Sequence, residues 1–296
     1  MSVPLNYING RLSTGTETIV GSALSDYIRP LGGSDFIDGK KGFDTVFVYW
    51  PASKFNITTV QGTTYLDAVS GASRSDKLVL RNVEAIEFSD KVVSLEIADT
   101  FVSSVSKDNF DGGPGIDTVV YGGEFKDYAV KTNVSGIEVI SANYTEGADW
   151  LLNIERLQFK DIGLAFDTDG HAGTAAKTLG LVFGLSSVYL PNYVGNCLDL
   201  LDNKAYTPEQ LMQAALNVRL GADALDPGKV VDFLYSQLTG GGLPSPSDKA
   251  AYVDLILNKT FSIEGLAVAA AELPLNPIES SLMGLATSGL PFILPS

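Results

Sequence analysis

The segment Gly112-Gly113-Pro114-Gly115-Ile116-Asp117-Thr118-Val119-Val120 decides how the first half of the chain is read. It matches a nine-residue pattern of Gly-Gly-x-Gly-x-Asp, then any residue, an aliphatic one and any residue. In such a repeat six residues make a turn, and glycines there adopt backbone conformations closed to other residues. The remaining three make a short strand whose aliphatic side chain points into a narrow core. Gly39-Lys40-Lys41-Gly42-Phe43-Asp44-Thr45-Val46-Phe47 fits with one Gly missing.

Working outward, acidic residues fall nine apart at Glu17, Asp26, Asp35 and Asp44. Two residues after each stands Ile19, Ile28, Ile37 or Val46. The spacing recurs at Asp99, Asp108 and Asp117, followed by Phe101, Phe110 and Val119. Gly42-Phe43-Asp44-Thr45-Val46 reappears 73 residues later as Gly115-Ile116-Asp117-Thr118-Val119, and Asn82, Glu84, Phe88 and Asp90 reappear at a shift of 71 as Asn153, Glu155, Phe159 and Asp161. The first half is therefore an internal duplication. Period-2 alternation assigns the Asn-x-Glu pairs a structural rather than a catalytic role.

Successive strands of such a ladder lie on opposite faces, so turns 18 residues apart stack. A hard cation with six or more oxygen ligands fits between stacked turns, and all-oxygen ligands on a flexible loop favour Ca²⁺ over Mg²⁺. On these residues the chain resembles the RTX (repeats-in-toxin), haemolysin-type family of calcium-binding proteins secreted by type I systems, which form calcium-filled parallel β-rolls. The resemblance implies an ion between turns 21–26 and 39–44 with Asp26 and Asp44 as ligands beside Gly39 and Gly42. It implies a second between 12–17 and 30–35 through Glu17 and Asp35. A third would lie between 94–99 and 112–117 through Asp99 and Asp117 beside Gly112, Gly113 and Gly115. Asp108 would face a turn at 121–126, where Lys126 takes the place of the aspartate.

From residue 167 the composition shifts to Ala and Leu with helical periodicity. Helix-start signals stand at Thr207-Pro208-Glu209-Gln210, Asp226-Pro227, Ser245-Pro246-Ser247-Asp248, Ser262 and Asn276-Pro277. This region resembles the helical domain-of-unknown-function family 4214, which often follows RTX-like modules. Asp167 and Asp169 open it in an Asp-x-Asp-Gly run, as ligands of a further ion or as helix caps. His171 at the fifth and Thr178 at the twelfth position argue against an EF-hand loop. The expected fold is α+β and multidomain. Two RTX-like β modules span 1–93 and 94–166, and an α-helical bundle spans 167–296.

Composition limits the chemistry. The 296 residues are 45% apolar, enough for a real core, and 20 basic against 35 acidic side chains give −15, which disfavours nucleic acid. One His and one Cys exclude an internal disulfide and a multi-histidine zinc site. Cys197, among apolar neighbours, reads as structural. His171 reads as a surface histidine. The Asn-x-Ser/Thr triplets at Asn56, Asn133, Asn143 and Asn258 read as chance. No stretch approaches a membrane span, and the N-terminus has no Sec-type leader pattern.

The apolar, uncharged C-terminus from Gly284 to Ser296 suits the location of a type I secretion signal. These readings imply a non-enzymatic, calcium-binding, secreted or cell-surface protein with a structural or adhesive role in a matrix, biofilm or S-layer, and with scope for self-association. Its partners would be calcium, the type I machinery and a surface polysaccharide or protein. The alternatives are a carbohydrate- or polymer-binding module using Tyr49-Trp50 or Trp150, and a hydrolase, against which stands the lack of a Gly-x-Ser-x-Gly elbow.

Overall fold

The computed structural model describes residues 6–10, 15–22, 25–40, 43–60, 63–69, 77–95, 98–142, 146–276 and 278–295. Gly42, Asp76 and Asn143 lie outside them. The architecture is α+β and divides into two compact units, one of residues 1–121 with 127–156 and the other of 122–126 with 157–296.

In the first unit the strands are β1 (Asn6–Asn9), β2 (Thr18–Val20), β3 (Asp26–Arg29), β4 (Asp35–Asp38), β5 (Thr45–Val48), β6 (Phe55–Val60), β7 (Thr63–Ala68), β8 (Lys77–Arg81), β9 (Ala85–Phe88) and β10 (Val92–Ser94). The chain continues through β11 (Thr100–Val102), β12 (Asn109–Asp111), β13 (Thr118–Val120), β14 (Tyr128–Asn133), β15 (Gly136–Ser141) and β16 (Ala148–Leu152). Ladder strands pair in parallel with the next ladder strand but one, the hairpin strands β6, β7, β14 and β15 not counted. β1, β3, β5 and β9 form one parallel set, with β10 antiparallel at its edge. β2, β4 and β8 form another, extended by antiparallel β7 and β6.

The duplication repeats the rule. β11 pairs in parallel with β13, and β12 with β16, which antiparallel β15 and β14 extend. The registers Ile28↔Val46 and Ile19↔Ile37 bring the aliphatic residues of the nine-residue period side by side. Ile28, Ile37, Val46, Leu66, Leu80 and Ile86 are fully buried in that core. Each such side chain contributes roughly 1.5–3 kcal/mol on leaving water. Phe101, Phe110 and Val119 occupy the same positions in the second copy, the two rings 5.1 Å apart.

β17 (Arg156–Gln158) carries the chain into the second unit. Among its described residues that unit holds β18 (Gly163–Ala165), seven helices, α1 (His171–Phe183), α2 (Pro191–Leu198), α3 (Pro208–Leu220), α4 (Pro227–Thr239), α5 (Pro246–Leu257), α6 (Ile263–Ala271) and α7 (Glu279–Ser288), and β19 (Leu290–Phe292). Helix starts follow from local chemistry. Thr207 accepts from the Gln210 amide and the Gln210 side chain accepts from the Thr207 amide, closing a capping box. Asp226, Ser245 and Ser262 each cap the helix that follows through a side-chain oxygen.

β19 pairs antiparallel with β18, and Leu290 and Phe292 are buried with Leu179, Val194 and Leu198. The segment read as a plain apolar tail thus contains a helix end and a core strand. Among the described residues no helix is long and apolar enough to cross a membrane.

Candidate metal centre

The nine-residue ladder places its carboxylates by one backbone rule. Each side chain reaches toward the stacked turn before it and accepts that turn's amide. Asp44 Oδ1 accepts from the Asp26 amide at 2.7 Å, Asp35 Oδ1 from Glu17 at 2.9 Å and Asp117 Oδ1 from Asp99 at 2.6 Å. The three expected pairs, Asp26 with Asp44, Glu17 with Asp35 and Asp99 with Asp117, are therefore each brought together.

Close backbone approach explains the glycines. A Cβ on Gly39 would lie 2.0 Å from the Asn82 carbonyl oxygen and 2.3 Å from Asp44 Oδ2. One on Gly112 would lie 2.2 Å from the Asn153 carbonyl oxygen and 2.5 Å from Asp117 Oδ2. The space that glycine leaves is shared by a carbonyl of the next turn and a carboxylate oxygen. Gly113 takes the left-handed φ of 76° in the same turn, and Gly115 is half-buried beside it.

The ladder has rungs that the spacing hid. Glu84 Oε2 accepts from the Asp44 amide, and Glu155 Oε2 accepts from the Asp117 amide at 2.9 Å, so the Asn-x-Glu segments close the columns. Asn82 and Asn153, with φ of 48° and 49°, each donate from Nδ2 to Asp38 and Asp111, both at 2.7 Å. Left-handed geometry is tolerated by Asn and turns its carbonyl over the glycine. Asp108 is corrected: its amide is accepted by Asp149 Oδ1 at 2.9 Å, not by a turn at 121–126. Residues 125–127 form a short 3₁₀ turn in which Lys126 pairs with Glu124. The reason is that β14 and β15 are inserted before the strand that stacks on β12.

Electrostatics separates these carboxylates. Asp44, Glu84 and Asp117 are fully buried, and Asp44 Oδ2, Glu84 Oε1 and Asp117 Oδ2 find no hydrogen-bond partner among the described residues. Burial, reinforced by neighbouring carboxylates, pushes each of the three up to about 8, and burial alone takes Asp99 to about 6. Asp99 raises both Asp44 and Glu84, and Glu84 raises Asp117, so the two copies share one field of negative charge. A Cβ on Gly113 would lie 2.8 Å from Glu84 Cγ, which puts the closing rung of the first copy against the nonapeptide of the second.

Three buried carboxylate oxygens without donors, next to turn carbonyls, suit a hard cation. Among the described residues no three His, Cys, Asp or Glu side chains converge on one point. A cation there would take most of its oxygens from carbonyls.

Other expected residues have local work. Asp26 accepts from Asn6 Nδ2 at 2.7 Å and from the amide and hydroxyl of Ser22. Asp167 accepts from the Ala172 amide at 3.2 Å, and its carbonyl accepts from Gly170 and Gly173 at the start of α1. Asp169 lies in the same turn. His171 Nδ1 pairs with Asp202 at 2.7 Å. Burial pushes the Cys197 thiol up to about 12, which leaves it protonated at neutral pH.

No family model matches the chain, and no curated protein does. Among solved structures, the extracellular lipase LipA from Serratia marcescens aligns over 52% of this chain and 38% of its own at 12% identity, with a TM-score of 0.17. At that score the likeness carries no argument about fold or chemistry.

Proposed function

We propose that this chain is a non-enzymatic, calcium-stabilised extracellular protein of the RTX type, its first half a duplicated β-roll and its helical second half a partner surface. Asp44 with Glu84, and Asp117 with Glu155, would hold Ca²⁺ together with the carbonyls of Asn82 and Asn153, and Asp26 and Asp99 would complete the columns from the preceding turns. The supporting observation is the set of three fully buried carboxylate oxygens without donors. Taking such charges out of water without compensation is costly, and a divalent cation supplies the compensation.

Calcium thereby couples to folding. Export through a type I system and a structural or adhesive role at the cell surface follow as proposals from that coupling. At low cytosolic calcium the carboxylates repel and the ladder stays open, while dissociation constants of about 10⁻⁴–10⁻³ M, the range of extracellular modules, close it outside. Circular dichroism and melting in EGTA, then in millimolar Ca²⁺ or Mg²⁺, test this on the wild type and on Asp44→Ala/Asp117→Ala. A calcium-selective gain of β signal that the double variant loses supports the reading. An identical response of both proteins defeats it.

A further inference from the structure

The duplication supplies an internal control for which side chains the backbone needs. In the first copy the segment after β5 is fixed by Ser89 N donating to the Trp50 carbonyl at 3.3 Å and Ala52 N donating to Asp90 Oδ1 at 2.8 Å. After β13 the equivalent contacts are Lys160 N to the Gly123 carbonyl at 2.9 Å and Phe125 N to Asp161 Oδ1 at 2.8 Å. The side chains between them differ in kind. Arg29, Phe47, Tyr49 and Trp50 stand where the second copy has Val102, Val120, Gly122 and Gly123. The same backbone is therefore made without the aromatic and cationic set.

In the first copy that set lines a groove of about 380 Å³, a size within the roughly 300–1,000 Å³ of small-molecule sites. Tyr49 and Trp50 meet edge to face at 88° with centroids 5.8 Å apart and remain 74% and 40% exposed. Phe55 lies in the lining, and the Arg29 guanidinium is held 5.2 Å over the Phe47 ring and 5.3 Å over Tyr27. Residues 30–33 also line the groove, and there Leu31 adopts a left-handed φ of 62°. A side-chain-bearing residue in that region is strained, and such strain gathers at ligand sites.

We propose that this groove binds a neutral saccharide. The negative faces of the Tyr49 and Trp50 rings suit the polarised C–H face of a pyranose, and the fixed guanidinium of Arg29 donates a fork of hydrogen bonds to vicinal hydroxyls. Among the described residues no carboxylate lines the groove and the Arg29 guanidinium does, which disfavours a cationic ligand. The net charge of −15 opposes a polyanion. The inference stands apart from the calcium reading, since none of these side chains belongs to the carboxylate columns.

Isothermal titration of the full chain in calcium with maltohexaose, cellohexaose and chitohexaose, and with an oligogalacturonate as the anionic probe, tests it. At least one neutral probe is expected to bind with a Kd of about 10⁻³ M or tighter. Tyr49→Gly/Trp50→Gly, which copies the second half, should weaken it at least ~10-fold, with Arg29→Val weakening it in the same direction. Both variants should keep the calcium-induced shift in melting temperature, which separates this result from the fate of the calcium reading. Trp150→Phe should bind as wild type. No neutral binding at ~10 mM, binding untouched by Tyr49→Gly/Trp50→Gly, or a preference for the oligogalacturonate would each overturn the proposal.

Discussion

The column through Asp44 and Glu84 and the column through Asp149 obey one backbone rule and differ in what meets the second carboxylate oxygen. Asp149 gives Oδ1 to the Asp108 amide and Oδ2 to Ser103 Oγ at 2.8 Å, and Tyr121 lies close to it. Its neighbour Tyr128 donates to Glu146 in the same cluster. Protein donors complete that column. In the other, among the described residues, Asp44 Oδ2 and Glu84 Oε1 have no such donor, and Asp117 Oδ2 repeats the pattern in the second copy. The same ladder geometry thus yields a hydrogen-bonded rung where Ser103 is at hand and, among the described residues, a rung whose second carboxylate oxygens lack donors, which is where the proposed cation would sit.

The largest expected effect is removal of calcium. Two ions, each present at a hundred times its Kd, would together add about 5 kcal/mol, or roughly 10–20 °C of melting temperature for a unit of this size. EGTA should abolish that increment, measured by scanning calorimetry.

Next comes pH in EGTA. Asp44 and Asp117 bind protons in the folded state up to about 8, against an ordinary 3.8, and Glu84 up to about 8 against 4.5. The folded state then holds more protons than the unfolded one across that interval, so stability falls as pH rises from about 4 to about 8. Calcium should flatten or reverse the slope in the same melting series. A cation-free melting temperature that rises with pH over this window would break the comparison.

Single substitutions sharpen it. Asp44→Asn should stabilise the calcium-free protein at neutral pH, because it removes the cost of protonating a buried carboxyl on folding, and should lose calcium-dependent stabilisation. Asp149→Asn should cost about 1–3 kcal/mol in EGTA and in calcium alike, read by urea denaturation. The smallest effect belongs to Ser103→Ala, about 0.5–1.5 kcal/mol and independent of calcium.

Legibility in the sequence followed local spacing. Asp26, Asp35, Asp44, Asp99 and Asp117 keep the nine-residue period, and their stacking 18 residues apart recurs in the amide-to-carboxylate bonds. Glu84 and Glu155 escaped the ladder because an inserted strand pair places them 40 and 38 residues from Asp44 and Asp117. The signal was present in the duplicated Asn-x-Glu, which alternation assigned to structure without revealing its partner. Asp149 was hidden in the same way, 41 residues from Asp108. Helix starts at Thr207, Asp226, Ser245 and Ser262 were legible because capping is decided within four residues. The strand Leu290–Phe292 was not, since its pairing with Gly163–Ala165 is long-range and its middle residue is a proline.

Calcium stoichiometry by native mass spectrometry, with titration calorimetry at pH 7.5, tests the central claim most directly when wild type is compared with Asp44→Asn/Asp117→Asn. The account predicts Ca²⁺ bound in the ~10⁻⁴–10⁻³ M range by the wild type, with at least two ions lost in the double variant. Equal stoichiometry and affinity in the two proteins, or no calcium bound by either at ~10 mM, would contradict it.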